Sequence, residues 1–356
     1  MSDLVAMPVM ETNSTPVLGL EGFKPFVRAV GRGAKLRRDL TVEESMQAMR
    51  MILRKNASLA QTGAFLIAQR VKGESESEIR GFTQVMREEF IQRISPRVEN
   101  LLDIGAPYDG KAKTAQLTPA IAIILATCGV PVILHGTEGI PAKKGITPGA
   151  VFQSLGIPHL LPEQVRLMIE SVGIGFLSAE IFAPEWNNLT PLRCEFGLRT
   201  ALNSVEKLFN PANAPYQISG FFHGEYLERL RLAQTGTRAS WIVQGEEGSV
   251  EMATGRATHV FAEDESNDWI LDPASVGFAA RERISTPPSL DAHTQLNLSV
   301  LYGEPGQALD QATLTAGVIL TLLQVSTTLE DGIHKVREVL KSGAVEKRLT
   351  LARNFR

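Results

Sequence analysis

Two loop-forming stretches concentrate the residues that could do chemistry. One runs Asp103-Ile-Gly-Ala-Pro-Tyr-Asp-Gly-Lys-Ala-Lys-Thr114 and the other Val132-Ile-Leu-His-Gly-Thr137. Glycines let a backbone approach an anion and aim N–H groups at it, and Lys111, Lys113, Lys143 and Lys144 add charge nearby. His135 and Gly136 follow a short apolar run, at a strand end where α/β proteins keep their sites. Tyr108 can stack on a base or cap the core. Arg193 carries a fork that fits carboxylate and phosphate alike. Against a phosphate role, Pro107 has no N–H to offer, and Pro-Tyr-Asp-Gly is also an ordinary turn after a strand. The six histidines and two cysteines show no zinc spacing, so no metal site is expected.

The elements that must hold these residues follow from local signals. Thr41/Glu44, Ser58/Gln61 and Ser75/Glu78 each fit a capping box ahead of an amphipathic run, which predicts three short helices ending near Pro96. Around residue 100 the pattern changes. Pro131–Leu134 reads as a strand, and Thr147-Pro148 opens a helix that ends at Gly156. Further helix is expected over 162–171 and 190–208. Strands follow at Ile218–Phe222, Ser240–Val243 and Ala257–Ala262, with a helix to Thr235 among them and one long helix from Gln307 to about Lys341. Residues 263–288 read mostly as loop. Such alternation predicts an α/β chain: a small helical N-terminal domain on a larger α/β domain with a mostly parallel central sheet flanked by helices. Residues 1–24 read as a disordered leader, 25–95 as the helical domain completed by about 160–205, and 96–159 with 206–356 as the α/β domain.

At 356 residues with 44% hydrophobic and 21% charged content, the chain can bury a full globular core. Cys128 and Cys194 form no disulfide framework, which suggests a reducing cytoplasm. The longest apolar run, Ala120–Leu134, is interrupted by Gly129 and Pro131, so no membrane span is expected. Net charge is −3, yet Lys24–Lys72 carries eleven Lys/Arg against three acids and Lys335–Arg356 seven against two. That asymmetry is either a footprint for a polyanion or a set of solvated helix faces.

Longer stretches carry a family resemblance. Lys72-Gly-Glu-Ser-Glu-Ser-Glu-Ile-Arg-Gly-Phe82 with Met86-Arg-Glu88, and Arg193-Cys-Glu-Phe-Gly-Leu-Arg-Thr-Ala-Leu-Asn203 with Asn210-Pro211, resemble segments of the anthranilate phosphoribosyltransferase family, in order and over about residues 25–340. The resemblance implies that Gly105, Tyr108, Asp109, Lys111, Lys113 and Thr114 stand where a diphosphate is bound, with His135, Gly136, Lys143 and Lys144 opposite. It also implies that Arg193 meets the substrate carboxylate. The departures fall on that same chemistry. The family's Gly-Thr-Gly-Gly-Asp reads Gly105-Ala-Pro-Tyr-Asp109, its Lys before His-Gly reads Leu134, and its paired Asp-Glu for magnesium reads Val250-Glu251. Glu246 and Glu247 could in principle substitute as ligands, though their register differs. The Asn-x-Ser-Thr segment reads Gln116-Leu-Thr-Pro119, and the double-histidine segment reads Phe182–Trp186.

Together with Gly31-Arg-Gly33, Arg38-Asp-Leu40 and Glu247-Gly248, these changes resemble the family's DNA-binding paralogue. Two functions therefore stay open. One is a homodimer that binds nucleic acid, single-stranded DNA or RNA, through phosphate contacts from Arg28, Arg32, Lys35, Arg37, Arg38, Arg54 and Lys55, with no cofactor. The other is a pentosyl transferase acting on an unidentified acceptor, and only there would Mg2+ be expected, with Glu251 as the degenerate metal position. Standard anthranilate transfer is expected to be absent or very weak.

Overall fold

The computed structural model describes residues 18–221, 226–231, 233 and 236–356. The expected leader up to residue 17, Phe222 at the end of its strand and Thr235 at the end of its helix lie outside them. Four helices open the described chain: α1 (Leu18–Gly31), α2 (Val42–Leu53), α3 (Leu59–Lys72) and α4 (Glu76–Val85). The last three begin at Thr41, Ser58 and Ser75, each with a complete capping box, as the spacing predicts. Helix α1 was not expected and takes in the last residues assigned to the leader. Its Phe23 packs edge-on against Phe65 of α3, which packs in turn on Phe82 of α4.

The larger unit is built on β1 (Leu102–Gly105), α5 (Thr118–Thr127), β2 (Val132–Gly136), α6 (Pro148–Ser154), α7 (Pro162–Val172) and β3 (Ile174–Ser178). Four short helices follow, α8 (Ala179–Phe182), α9 (Pro184–Asn187), α10 (Thr190–Phe196) and α11 (Leu202–Val205). Then come β4 (Tyr216–Gly220), α12 (Leu227–Arg231), β5 (Ala239–Val243), β6 (Thr258–Ala262) and β7 (Trp269–Leu271). The chain ends in α13 (Leu290–Leu301), α14 (Gln307–Leu322), α15 (Leu329–Lys341) and α16 (Ala344–Arg353).

The sheet runs β3-β2-β1-β4-β5-β6-β7. Its first five strands are parallel, and β6 and β7 add an antiparallel edge. Parallel strands covered on both faces need near-continuous apolar runs, and β1 and β2 are buried at every position. Helix α5 is buried on every side through Ala126 and packs against α13 to α16.

Four expectations change here. β3 is one edge strand of the sheet and α7 packs on it, so residues 162–178 lie with the α/β unit instead of completing the helical one. The helix expected over 190–208 breaks at Gly197, which adopts a left-handed conformation (φ 59°). The long helix from Gln307 breaks where Gln324 turns left-handed and Thr328 caps α15 through the Asp331 amide. Residues 263–288, read mostly as loop, also contain the short strand β7.

Candidate functional site

Because β1, β2, β4 and β5 are parallel, the loops after them gather along one edge of the sheet. The loop after β1 crosses the loop after β2. Lys111 and Ile146 exchange backbone hydrogen bonds of 3.0 and 2.9 Å, and the Gly145 amide reaches the Asp109 carbonyl at 2.9 Å. A side chain at Gly145 would sit 2.5 Å from the Lys111 backbone, and one at Gly110 would sit 2.4 Å from the Gly145 carbonyl. These two glycines serve the crossing of the loops.

Tyr108 points inward, fully buried. Its hydroxyl lies 2.6 Å from His135 Nδ1, and its ring packs edge-on against Phe209. Burial, with Glu206 and Asp103 nearby, pushes the phenol well above its usual range. The O–H therefore stays on, and the phenol and the imidazole share one hydrogen bond. Asp103 faces the other side of the ring, with Oδ2 3.4 Å from Nε2, and takes a hydrogen bond from Gln217, which is in turn bonded by Arg87. Neither expected ligand contact survives here: Tyr108 is no stacking platform, and His135 and Gly136 are closed off by Tyr108, Phe176 and Phe182.

Lys111 is also fully buried, in an ion pair with Glu251. The other Glu251 oxygen accepts hydrogen bonds of 2.8 Å from the amides of Leu117 and Thr118 and from the Thr118 hydroxyl, at the start of α5. Both oxygens of that carboxylate thus have partners, and the adjacent Val250 is an apolar core residue.

Glu247 faces the same loop from the opposite side. Its Oε2 accepts from the amides of Lys113 (2.8 Å), Thr114 (2.9 Å) and Ala112 (3.1 Å) and from the Thr114 hydroxyl (3.1 Å), while Lys143 Nζ lies 3.0 Å from Oε1. Burial opposes ionisation, but the Lys113 amide and Lys143 outweigh it and pull the carboxyl down to about 2. Burial and neighbouring Arg199 lower Lys143 in turn, with Asp109 and Glu247 acting the other way. The ammonium groups of Lys113 and Lys144 have no partner among the described residues. Glu246 instead faces Arg256 and Arg283 at 3.4 Å.

Arg193 is buried, and its fork is filled by Glu206 at 2.7 and 3.1 Å, with the Trp186 indole N–H on the same carboxylate. Burial raises Glu206 despite that pairing. The expected substrate carboxylate is thus replaced by an internal one. Six residues later, Arg199 does what Arg193 does not: it borders open space while holding Asp109 with two bonds of 2.7 and 2.8 Å. A cavity of about 860 Å³ between the two units is lined by Arg70, Glu74, Asp109, Arg199, Lys207 and Tyr226, among others. Lys207 donates to the carbonyls of Gly220 and Gly248 at 2.8 and 2.9 Å and lies over the Phe221 ring; burial pushes its ammonium down to about 7. Burial likewise raises Glu74. Arg199, Lys207, Glu74 and Glu247 were not among the expected site residues. Arg199 was legible, since it lies within the Arg193–Asn203 run; Lys207 carries no sequence signal.

The basic helical face separates into two groups. Arg38 is held by Glu44 at 2.7 Å through two bonds, and Arg54 by Glu89 at 2.8 Å while covering Phe90. Arg28, Arg32, Lys35, Arg37 and Lys55 have no carboxylate partner among the described residues. Arg28, Arg32 and Arg38 line an open cleft with Pro25, Ala29 and Leu36. The C-terminal excess is partly absorbed by the fold, because Arg348 caps the Val172 carbonyl and Arg353 that of Leu155, both at 2.7 Å.

Comparison with known proteins fits both units. A glycosyl transferase family α/β domain matches residues 108–346, and the family's helical bundle domain matches residues 24–90. An anthranilate phosphoribosyltransferase of Paracidovorax citrulli is 34% identical over 322 residues, covering 88% of this chain and 92% of the relative. The chain belongs to the anthranilate phosphoribosyltransferase family of glycosyl transferases. A family enzyme from a Methylobacterium species is 31% identical over 94% of this chain and 98% of its own. Among solved family members, anthranilate phosphoribosyltransferase from Thermus thermophilus superposes with a TM-score of 0.81 at 27% identity, over 94% of this chain and 99% of that one. The Saccharomyces cerevisiae enzyme, solved with PRPP and Mg, shares the fold with a TM-score of 0.79 at 18% identity, over 93% and 96%. In this member, the position expected for a metal offers one carboxylate, neutralised by an ammonium, beside a valine, an arrangement that does not fit a hard divalent cation. Among the described residues, no helix is long and apolar enough to cross a membrane.

Proposed function

We propose that this family member has lost anthranilate phosphoribosyl transfer and binds single-stranded nucleic acid, DNA or RNA, through phosphate contacts, as a homodimer in the cytoplasm. The observation that carries the reading is the set of cations on the helical unit that have no carboxylate partner among the described residues: Arg28, Arg32, Lys35, Arg37 and Lys55. Like charges left unpaired together repel one another and add nothing to the fold, but they concentrate a polyanion. The former small-anion positions support the reading from the other side, because Lys111 meets Glu251, Arg193 meets Glu206, and Glu247 fills the loop amides. Leu36, Leu59 and Val71, each about two-thirds exposed on the helical unit, are surface that a second copy would cover. An exposed free thiol at Cys194 suits a reducing compartment.

The test replaces Arg28, Arg32, Lys35 and Arg37 with Ala. Titration with a single-stranded oligonucleotide at two salt concentrations should show weaker binding for all sequences, and a slope flattened by about 0.7 per lost phosphate contact. Unchanged affinity and slope would remove the proposal. One observation favours a second reading, pentosyl transfer to an unidentified acceptor: the inter-unit cavity keeps Arg199 and Lys207 on its wall. Calorimetric titration with phosphoribosyl pyrophosphate and Mg2+ tests it, and tight binding there would put that reading first.

A further inference from the structure

The loops that hold Asp109 and Glu247 follow the C-terminal ends of the parallel strands β1 and β5. At the opposite end, where β5 begins, a separate cleft of about 650 Å³ opens, a size that suits a small molecule. Its walls include Arg238, Ser240 and Trp241 at the start of β5, Glu263 and Asp264 just after β6, and Leu322 at the end of α14. Antiparallel pairing of Trp241 with Ala262 brings the two strand ends side by side.

The cleft carries charges of both signs that do not meet. The Arg238 guanidinium lies over the Tyr216 ring, 5.9 Å from its centroid, and Tyr216 stacks in turn on Trp241 at 6.1 Å. That platform presents the cation, and no carboxylate takes it among the described residues. The β6–β7 turn holds Glu263, Asp264, Glu265 and Asp268. Arg231 takes Asp268 at 2.7 Å and lies 4.0 Å from Glu265, and Asp264 accepts from the Ser266 amide at 3.0 Å. Glu263 is left without a cation among the described residues. Ser240 adds an independent sign of a ligand. It is only 1% exposed, yet its hydroxyl has no hydrogen-bond partner among the described residues. A buried hydroxyl in that state destabilises the fold, and a polar atom bound in the cleft would satisfy it.

We propose that this cleft binds a free α-amino acid with an apolar side chain, its carboxylate on Arg238 and Ser240, its ammonium on Glu263, and its side chain against Trp241 and Leu322. A zwitterion is the small molecule that answers both unmatched charges at once. None of these residues belongs to the basic helical face or to the inter-unit cavity, so the site holds or fails apart from nucleic-acid binding.

The experiment titrates the full-length chain calorimetrically with L-phenylalanine and with L-leucine. Each is run beside the analogue that lacks its ammonium (hydrocinnamate, isocaproate) and the analogue that lacks its carboxylate (phenethylamine, isoamylamine). At least one amino acid should bind saturably, and its two analogues should bind about tenfold or more weakly, the worth of one charge-assisted hydrogen bond. Arg238→Gln and Glu263→Gln should each weaken the amino acid by a similar factor, while Glu263→Gln leaves the affinity for the carboxylate analogue unchanged. Both side chains are exposed, so the variants should melt close to the native chain. Should Arg238→Gln not fold, Glu263→Gln decides alone. The proposal is overturned if neither amino acid binds, if an analogue binds as tightly as its parent, or if Glu263→Gln keeps native affinity.

Discussion

Single residues in this chain do as partners what a bound ligand would do elsewhere. Lys111 is the clearest case, a fully buried ammonium whose counter-ion sits 140 positions away in sequence. Removing one member of a buried pair strands the other, so Lys111→Ala should destabilise the fold by about 3–5 kcal/mol in urea unfolding. A loss under about 1 kcal/mol would mean that Glu251 is satisfied by the α5 amides alone. Glu247 makes a pH-dependent prediction. Its carboxyl is depressed from 4.5 to about 2, so its stabilisation is present above pH 4.5 and disappears as pH falls toward 2. After allowance for partial exposure it is on the order of 2 kcal/mol. The stability gap between the native chain and Glu247→Gln should therefore be widest near pH 7 and close on acidification, measured by denaturant titration at several pH values.

Among the elements, the capping boxes differ in what rests on them. Thr41 and Ser58 each satisfy one helix end, and replacing either by Ala should cost about 1 kcal/mol. Glu78 does more. It accepts from the amides of Ser75 (2.8 Å) and Leu40 (3.0 Å) and pairs with the largely buried Lys72 at 2.8 Å, binding α2, α3 and α4 at one point. The Lys72–Glu78 stretch that carries much of the family resemblance thus holds the helical unit together. Glu78→Ala should cost about 3–5 kcal/mol by thermal or urea unfolding, well beyond Thr41→Ala. Equal costs would show that the three helices are fastened elsewhere. The capping boxes were readable because their donors and acceptors lie three residues apart. Helix α1 was not, since no side-chain cap within the described residues marks its start and a proline lies within it.

At the scale of the whole molecule, the two units enclose a cavity walled by Arg70, Glu74, Asp109, Arg199 and Lys207. With phosphoribosyl pyrophosphate, Mg2+ and anthranilate supplied together, product formation should fall far below the ordinary range of about 1 per second or more. The loss of even one preorganised group commonly costs about 10²–10³ in rate, and the resemblance implies four such losses, at Pro107, Tyr108, Leu134 and Val250. Turnover at ordinary rates would show that Arg199 and Lys207 have taken over the work. Local hydrogen bonds and apolar periodicity, both short-range, were enough to place most strands and helices, the division into two units and, through ordered motifs, the family. The resemblance, and not periodicity, is what implies departures at Pro107, Tyr108, Leu134 and Val250. What short-range signals could not show is which charges find partners. Arg38 and Arg28 look alike along the chain, yet one meets Glu44 and the other meets no carboxylate among the described residues; Arg193 and Arg199 are six residues apart, yet only the second reaches open space. Lys111 with Glu251, and Glu247 with the 112–114 amides, pair across more than a hundred residues. Only the folded sheet brings those loops together, because burial and Coulomb attraction depend on distance in space and leave no period in the sequence.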